Sequence, residues 1–274
     1  MQKLSFIAMA ASFVCAACAH GQIAASTPAT NAGHSSEVIA NGGLLHTLEA
    51  APVTGQPYSA LQVQRMVRTL ADGTTIKNGP GPGHAVMRDS LGRVRIEQRI
   101  TRATPEKPSI FLVFVMDPVE HTVSMWSTSD KGEKVATIFK LPARPAQPAS
   151  SSGVARMEQP GRLQPTSTTE DLGTNVLEGV SVSVVKTTIV VPAGRVGNDA
   201  PITRTHETWT SPDMKLTLKE EWNDPRTGDK TVWLKDLSRV EPAAEMFRAP
   251  AGYKTKTLKQ TMEELAQKLA STPD

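Results

Sequence analysis

The sequence has 274 residues, of which 39% are hydrophobic and 4% aromatic, and 30 Lys and Arg stand against 27 Asp and Glu for a net charge of +3. A charge balance this close to neutral creates no strong field for nucleic acid, and so few aromatic residues offer no platform for stacking bases. We therefore expect no nucleic-acid partner, and the length allows one domain or two.

The first 21 residues have the pattern of a secretory signal peptide. Lys3 precedes an apolar run from Leu4 to Ala19, and small residues follow. This run is short and rich in alanine, and no later segment approaches about 18 apolar residues, so we expect no transmembrane span in the mature chain. The signal predicts an exported bacterial protein of the periplasm or outer cell envelope.

Both cysteines, Cys15 and Cys18, lie within this segment. Cleavage after Ala19 or Gly21 would leave a mature chain without cysteine. Alternatively, residues 15–18 are similar to a bacterial lipobox, although a cysteine stands where leucine is usual, and Cys18 would then become the acylated first residue of a lipid-anchored protein. In neither case can an internal disulfide form, so the fold must be held by its core.

Two stretches have the composition of flexible chain. Residues 22–56 are rich in Ala, Ser, Thr, Gly and Asn, which predicts a tether. Residues 142–171 are rich in Pro and Ser and have almost no apolar period, so they form either a linker between two domains or a disordered excursion from one sheet. Because the flanking segments look alike, we favour a single β domain over 57–256, interrupted by this excursion.

Alternating apolar and polar residues predict β-strands throughout that domain. In residues 93–100, "RVRIEQRI", Val94 and Ile96 take one face, whereas Arg93, Arg95 and Arg99 take a solvated face that could meet anionic headgroups or an acidic partner. Other segments are apolar on both faces, as in "SIFLVFVMD", or dense in β-branched residues, as in "VSVSVVKTTIVV".

Turn residues separate these segments and predict hairpins. "DPVEH" and "DPRTG" carry proline at the second turn position, and "ADG" and "SLG" supply glycine. We expect nine or ten strands in an antiparallel meander. Helix is scarce: Leu258, Met262, Leu265 and Leu269 predict one amphipathic helix over 257–270, and residues 241–247, "EPAAEMF", predict one turn that anchors Met246 and Phe247.

Several of these segments together resemble a known architecture. The runs "PYSALQVQ", "LADGTTI", "RDSLGR", "VMDPVEHTVSMW" and "EPAAEMFRAPAGYK" are similar to those of uncharacterised secreted bacterial proteins related to the LolA and RseB lipoprotein-carrier superfamily. The resemblance implies a mainly β fold, an antiparallel sheet curled into an open half-barrel with helices near its mouth. It transfers no functional residue, and the scarcity of helix departs from the carriers, whose lid helices close the cavity.

The sequence contains no recognisable catalytic or metal-binding motif. None of the six histidines has the spacing of a metal pair, and there is no nucleophile elbow, phosphate-binding loop or mature cysteine pair. A hydrolase would need an unrecognised cluster, such as His84 and Glu207 in one pocket. We therefore expect no enzyme, no metal and no cofactor.

A group of apolar residues gives the leading interpretation of the protein's function. Predicted strands carry four tryptophans and two methionines, which either fill the core or line an apolar groove of the half-barrel: Trp126, Trp209, Trp222, Trp233, Met116 and Met125. A groove would bind a lipid, an acyl chain or a lipoprotein. The alternative is an interaction or sensor module without a small ligand, whose exposed strand edges or Pro-rich excursion contact an envelope protein partner.

Overall fold

The computed structural model describes residues 52–101, 104, 107–141 and 164–270, all within a unit that spans His46–Asp274. The predicted signal peptide, Cys18, the tether up to residue 51 and residues 142–163 of the excursion lie outside the described residues. None of the helices in the described part of the chain is long and apolar enough to cross a membrane.

Strands dominate the described residues. In chain order they are β1 Tyr58–Thr69, β2 Thr75–Asn78, β3 His84–Arg88, β4 Val94–Thr101, β5 Ile110–Asp117, β6 Thr122–Ser127, β7 Val135–Lys140, β8 Thr166–Leu177, β9 Val180–Val191, β10 Ile202–Ser211, β11 Leu216–Asp224, β12 Gly228–Ser238 and β13 Lys254–Thr257. A short 3₁₀ helix, Ala244–Phe247, precedes β13, and the α-helix α1, Leu258–Ala270, follows it.

These strands form one open sheet in the order β13-β7-β6-β5-β4-β3-β1-β12-β11-β10-β9-β8, with β2 paired to β1 off this path. Every pairing is antiparallel except that of β13 with β7. The pairing of β1 with β12 joins the meander of β3 to β7 to that of β8 to β12. The predicted fold, mainly β with an open antiparallel sheet and a C-terminal helix, is confirmed.

Turn chemistry sets the hairpins. Asp117 Oδ1 accepts hydrogen bonds from the backbone N–H groups of Val119 and Glu120, at 2.8 and 3.0 Å. His121 then takes a φ of 51°, and Gly228 ends the β11–β12 loop at 93°. Few residues other than Gly, Asn, Asp and His adopt this left-handed backbone conformation readily. The turn sequences "DPVEH" and "DPRTG" therefore fix where β5 and β11 end.

The register of the ladders assigns side chains to two faces, because residues directly opposite each other in antiparallel strands point the same way. Met116 and Met125 lie on the side that we call the front face, through pairs such as Phe114 with Met125 and Val94 with Met116. Arg95 and Trp126 lie on the back face, through the pairs of Arg95 with Val115 and of Val113 with Trp126.

Three clusters of buried side chains form the core. The first joins front-face residues of β1, β3 and β12 to Val182 and Val184 of β9, which lie on the back face by register. Such contacts require a strongly curled and twisted sheet. The second cluster lies on the back face under Phe247, and the third lies on the front face around Val94, Met116 and Val123.

Two boundaries differ from the prediction. The excursion was expected to end at residue 171, but Thr166–Asp171 belong to β8, a strand exposed along nearly its whole length. Thirteen strands occur among the described residues rather than nine or ten, and β8 and β13 are polar strands that the sequence analysis did not identify. An edge or hairpin strand needs no apolar face, so alternation does not reveal it.

Candidate functional site

The predicted basic surface is not a surface. Arg93 and Arg95 are both buried, at 8% exposure, and Arg99 is half-buried. The prediction that they face solvent is therefore wrong, although their shared back face follows from the alternation. The 3₁₀ helix Ala244–Phe247, about 150 positions later in the chain, covers part of this face. Arg95 donates a hydrogen bond to the carbonyl oxygen of Met246 in this helix.

Each arginine has its own partners. Arg93 Nε donates to Asp89 Oδ2 at 2.6 Å, and its guanidinium lies 5.0 Å from the Phe247 ring centroid. Arg95 donates to Glu97 Oε1 at 2.6 and 2.9 Å and to the carbonyl oxygen of Met246 at 2.6 Å. These contacts hold the 3₁₀ helix on the sheet, so Arg93 and Arg95 stabilise the fold.

Arg88, in the same stretch of sequence, is also buried and paired with an aromatic ring. Its guanidinium lies 5.0 Å from the Tyr58 ring centroid, and it donates to the carbonyl oxygens of Gln56 and Met214 at 2.9 and 2.7 Å. Burial lowers the pKa of Arg88 and raises the pKa of Tyr58 to about 12. The pair ties the turn after β10 to β1 and β3.

The four tryptophans do not converge on one groove. Trp126 is buried beneath Phe247 on the back face. Trp209 and Trp233 also lie on the back face, on either side of Lys219, whose Nζ is 4.1 Å from the Trp209 ring centroid. Trp222 lies on the front face and stacks on His206. The two ring centroids are 4.8 Å apart, and the ring planes are nearly parallel, with 8° between them.

The two predicted methionines lie on the front face, within or beside an apolar row. This row crosses five strands through directly paired residues: Ala60, Val86, Ile96, Phe114 and Met125. Ile96 packs against the first core cluster, which includes Val182 and Val184, whereas Met125 is only half-buried. Phe139, another half-buried apolar side chain, packs near Met116 in the third cluster.

Helix α1 borders this row at its other end. Thr137, which pairs with Met125, shares a hydrogen bond with Thr261 of α1 at 3.3 Å between the hydroxyl oxygens. Lys256 Nζ of β13 reaches Glu133, just before β7, at 3.2 Å and Glu264 of α1 at 2.7 Å, so this lysine links the helix to the segment that leads into β7. The front face between the first core cluster and α1, around Phe114 and Met125, is the candidate site, which we call the front-face site.

The predicted helical stripe is only partly described. Leu258 is half-buried and Met262 is exposed, whereas the side chains of Leu265 and Leu269 lie outside the described residues. Thr257 and Gln260 cap the helix, since Gln260 Oε1 accepts from Thr257 N at 2.8 Å and Gln260 N donates to Thr257 Oγ1 at 3.3 Å. This capping box fixes where α1 begins.

His84 and Glu207, which the sequence offered as one cluster, lie on opposite faces of the sheet. Glu207 lies on the back face of β10, where it pairs with Lys186 at 3.1 Å. His84 lies on the front face of β3, where burial and the nearby Arg99 lower its pKa. Within the described ranges, no group of three His, Cys, Asp or Glu side chains could hold a metal ion.

Sequence reasoning missed most of the front-face site. The run "SIFLVFVMD" predicted a strand covered on both faces, and Leu112 to Met116 of β5 are indeed buried. The row through Ile96, Phe114 and Met125 depends on the registers of four ladders, and no local pattern encodes these registers. A contact such as that of Thr137 with Thr261 joins segments 124 residues apart.

No protein-family model matches the chain, and neither does any curated protein. Solved structures do resemble it. PNGF-II is similar at 13% identity over 78% of this chain, with a TM-score of 0.37, and the match covers 34% of PNGF-II. An uncharacterised conserved protein from Thermus thermophilus is similar at 10% identity, with 82% of this chain and 99% of that chain covered and a TM-score of 0.37.

A LolA superfamily protein from Nitrosomonas europaea is also similar, at 9% identity with a TM-score of 0.27, over 74% of this chain and 95% of that chain. Identities and TM-scores this low carry no information about the ligand or activity of the present chain.

Proposed function

We propose that this chain is an exported, non-catalytic binding protein that holds an apolar or amphiphilic ligand, such as an acyl chain or the lipid part of a lipoprotein, at the front-face site. One observation carries the proposal: a row of apolar side chains ends at half-buried Met125, between the first core cluster and α1. A ligand that covers Met125 and its neighbours would remove this apolar surface from water, which is favourable by about 25 cal/mol per Å².

The residues at the site suit a flexible apolar ligand. Met125 and Met116 adapt their shape because a thioether chain has three rotatable bonds. Among the described side chains, the bordering helix makes polar contacts, Thr261 with Thr137 and Glu264 with Lys256 of β13. Such contacts cost little to rearrange at the surface, so α1 can move aside as the ligand enters.

A fluorescent apolar probe tests this proposal. We expect the purified protein to bind N-phenyl-1-naphthylamine saturably and to release it when oleate is added. Met125→Glu should weaken probe binding by at least tenfold, because a carboxylate at the site must be desolvated. Val119→Glu is the matched control, since Val119 is 60% exposed in the β5–β6 turn and should leave binding unchanged.

A second variant keeps the test valid if Met125→Glu misfolds. Met125→Trp introduces no charge, fills the site with a larger side chain and should also weaken the probe while the far-ultraviolet circular dichroism stays unchanged. Absence of saturable probe binding by the folded protein would rule out the proposal. So would equal affinities for Met125→Trp and the unmodified protein.

The alternative of an interaction module receives less support from the exposed edge. Strand β8 is the last strand of the sheet among the described residues, but it carries Glu170 and Asp171, and its register with β9 shifts between Asp171 and Thr174. Asp171 Oδ1 accepts from Gly173 N at 2.8 Å and stabilises this irregularity. Charges and bulges are the features by which proteins prevent strand addition at an edge.

Export and anchoring belong to the same proposal. The N-terminal signal and the acylation of Cys18 rest on the sequence alone, since both lie outside the described residues. The mass of the mature N-terminus tests them: a diacylglycerol on Cys18 means a lipid-anchored protein, and an unmodified start after Ala19 or Gly21 means a freely diffusing one.

A further inference from the structure

The β1–β2 hairpin projects from the body of the sheet. Strand β2 lies off the main strand path and pairs with the last four residues of β1. Residues 68–82, which include the hairpin turn and all of β2, are exposed without interruption. The side chains of residues 68–82 are therefore available to a partner and contribute little to the core.

The hairpin carries cations that lack acidic partners. Residues 58–78 contain three basic side chains, Arg65, Arg68 and Lys77, against one acidic side chain, Asp72, which leaves a net charge of +2. No carboxylate among the described residues forms an ion pair with any of the three cations. Asp72 is engaged within the turn, where its Oδ1 accepts from Thr74 N at 2.9 Å.

Two large aliphatic side chains are exposed on the face of the hairpin that carries Arg68, whereas Arg65 and Lys77 lie on the other face, since Lys77 pairs with Val67. Leu70 is 37% exposed and Ile76 is 44% exposed. Ile76 pairs directly with Arg68, and Leu70 lies two residues further along the same face of β1, so the three side chains share the front face. A hairpin with exposed aliphatic groups beside Arg68 on one face and two further cations on the other matches the boundary between lipid headgroups and acyl chains.

The same face continues into a row with an aromatic residue. Met66 pairs with Lys230, which in turn pairs with Trp222, so these side chains share the front face with Arg68. Lys230 Nζ lies 5.0 Å from the Trp222 ring centroid. Tryptophan beside lysine is typical of protein surfaces at the level of the headgroups.

We propose that the β1–β2 hairpin docks this protein on anionic phospholipid membranes, with Leu70 and Ile76 inserted among the headgroups and Arg65, Arg68 and Lys77 against the phosphates. Each cation near an anionic surface contributes about fivefold in affinity. The docking goes beyond ligand binding at the front-face site and does not require it. Docking through the hairpin would bring the protein to a membrane whether or not Cys18 is acylated.

Flotation with lipid vesicles tests the docking. We expect the purified protein to float with vesicles of phosphatidylcholine and phosphatidylglycerol at low salt, more than with phosphatidylcholine alone, and to be released at about 1 M salt, where the screening length falls to about 3 Å. Recovery at background with the anionic vesicles would overturn the proposal, and that is the result expected if the hairpin meets an acidic protein partner.

Paired variants separate the charge from the apolar contact. Arg68→Gln with Lys77→Gln should lower affinity for the anionic vesicles by about fivefold for each charge removed. The matched control is Lys235→Gln with Arg239→Gln, two exposed cations near and just beyond the far end of β12, which should keep the affinity. Equal losses in the two pairs would contradict docking by the hairpin, because any general charge would then suffice.

Leu70→Ser with Ile76→Ser tests insertion. Affinity should fall at low salt by several-fold, whereas Val240→Ser, which alters a still more exposed aliphatic residue elsewhere, should have no effect. Because every variant keeps the same N-terminus, an acyl group there cannot produce these differences. Probe binding, measured without vesicles, should be unchanged in the hairpin variants, so the membrane proposal and the front-face proposal can fail separately.

Discussion

Replacing Asp89 by alanine would remove the acidic half of a buried ion pair. The carboxylate is 1% exposed; its Oδ2 accepts from Arg93 Nε at 2.6 Å, and its Oδ1 accepts from the backbone N–H groups of Arg93 and Leu91 at 2.8 and 3.1 Å. In the variant the Arg93 guanidinium stays buried against Phe247 without its counter-charge.

The magnitude follows from this burial. Leaving one charge of a buried pair uncompensated costs about 3–5 kcal/mol, and the two backbone donors of the turn lose their acceptor as well. The free energy of unfolding of a whole domain is about 5–15 kcal/mol, so the variant should fold but with much reduced stability. With an m-value near 2 kcal/mol/M in urea, the unfolding midpoint should fall by roughly 2 M.

Urea unfolding followed by circular dichroism measures this change, and the chain offers a matched control. Asp224 also accepts from an arginine, at 2.6 and 2.9 Å from Arg226, and from the Arg226 backbone N–H at 3.0 Å. The Arg226 side chain is 42% exposed, however, so water can replace the lost partner. Asp224→Ala should cost only about 0–1 kcal/mol.

Equal losses in the two variants would refute the reasoning, because burial of the Asp89–Arg93 pair would then contribute nothing beyond a surface contact. Asp89→Asn separates charge from turn geometry: it keeps an acceptor oxygen for the backbone donors and removes only the counter-charge of Arg93. Its loss of stability should lie between that of Asp89→Ala and zero.

Three further predictions concern the backbone, a tyrosine pKa and a single hydrogen bond. Gly79→Ala should destabilise by at least about 1–2 kcal/mol in urea unfolding, since Gly79 has a φ of 90° and a Cβ there would overlap the carbonyl oxygen of Gln64. Because burial raises the pKa of Tyr58 to about 12, the unfolded chain releases this proton first, so stability should fall by about 2–3 kcal/mol between pH 10 and 12. Tyr58→Phe should flatten that part of the pH profile relative to the unmodified protein, and an unchanged slope would show that other groups cause it. Tyr253→Phe should cost about 1 kcal/mol in the same unfolding assay, because the Tyr253 hydroxyl donates to the Ser127 carbonyl oxygen at 2.7 Å, and no loss would mean that water replaces this bond.

Local patterns in the sequence determined most of the strands. Alternation placed Val94 and Ile96 on one face of β4 and the arginines on the other, and the β-branched run became β9, Val180–Val191, as predicted. Turn residues placed the hairpins, with Gly228 in the left-handed conformation. These features succeed because they depend on neighbours within a few residues.

Tertiary structure alone decided what covers each face. Alternation cannot reveal that Phe247 and Met246, about 150 residues away, pack over Arg93 and Arg95, so the polar face of β4 was mistaken for a solvated one. It also could not separate Trp222 from the other tryptophans, since the face of each strand relative to the next is fixed by ladder registers across the sheet.

Strand β8 also shows that apolar alternation cannot identify every strand. Its sequence "TSTTEDLGTNVL" has no apolar alternation, and the chain around it predicted disorder. Pairing with β9 supplies its backbone hydrogen bonds, and an edge strand exposed on both faces needs no buried side chains. The sequence by itself thus determined where chain segments extend, turn and coil, because local sterics and period act at short range. The cover over the arginines, the front-face row and the exposed hairpin arise only when the sheet assembles, because burial depends on contacts between residues far apart in the chain.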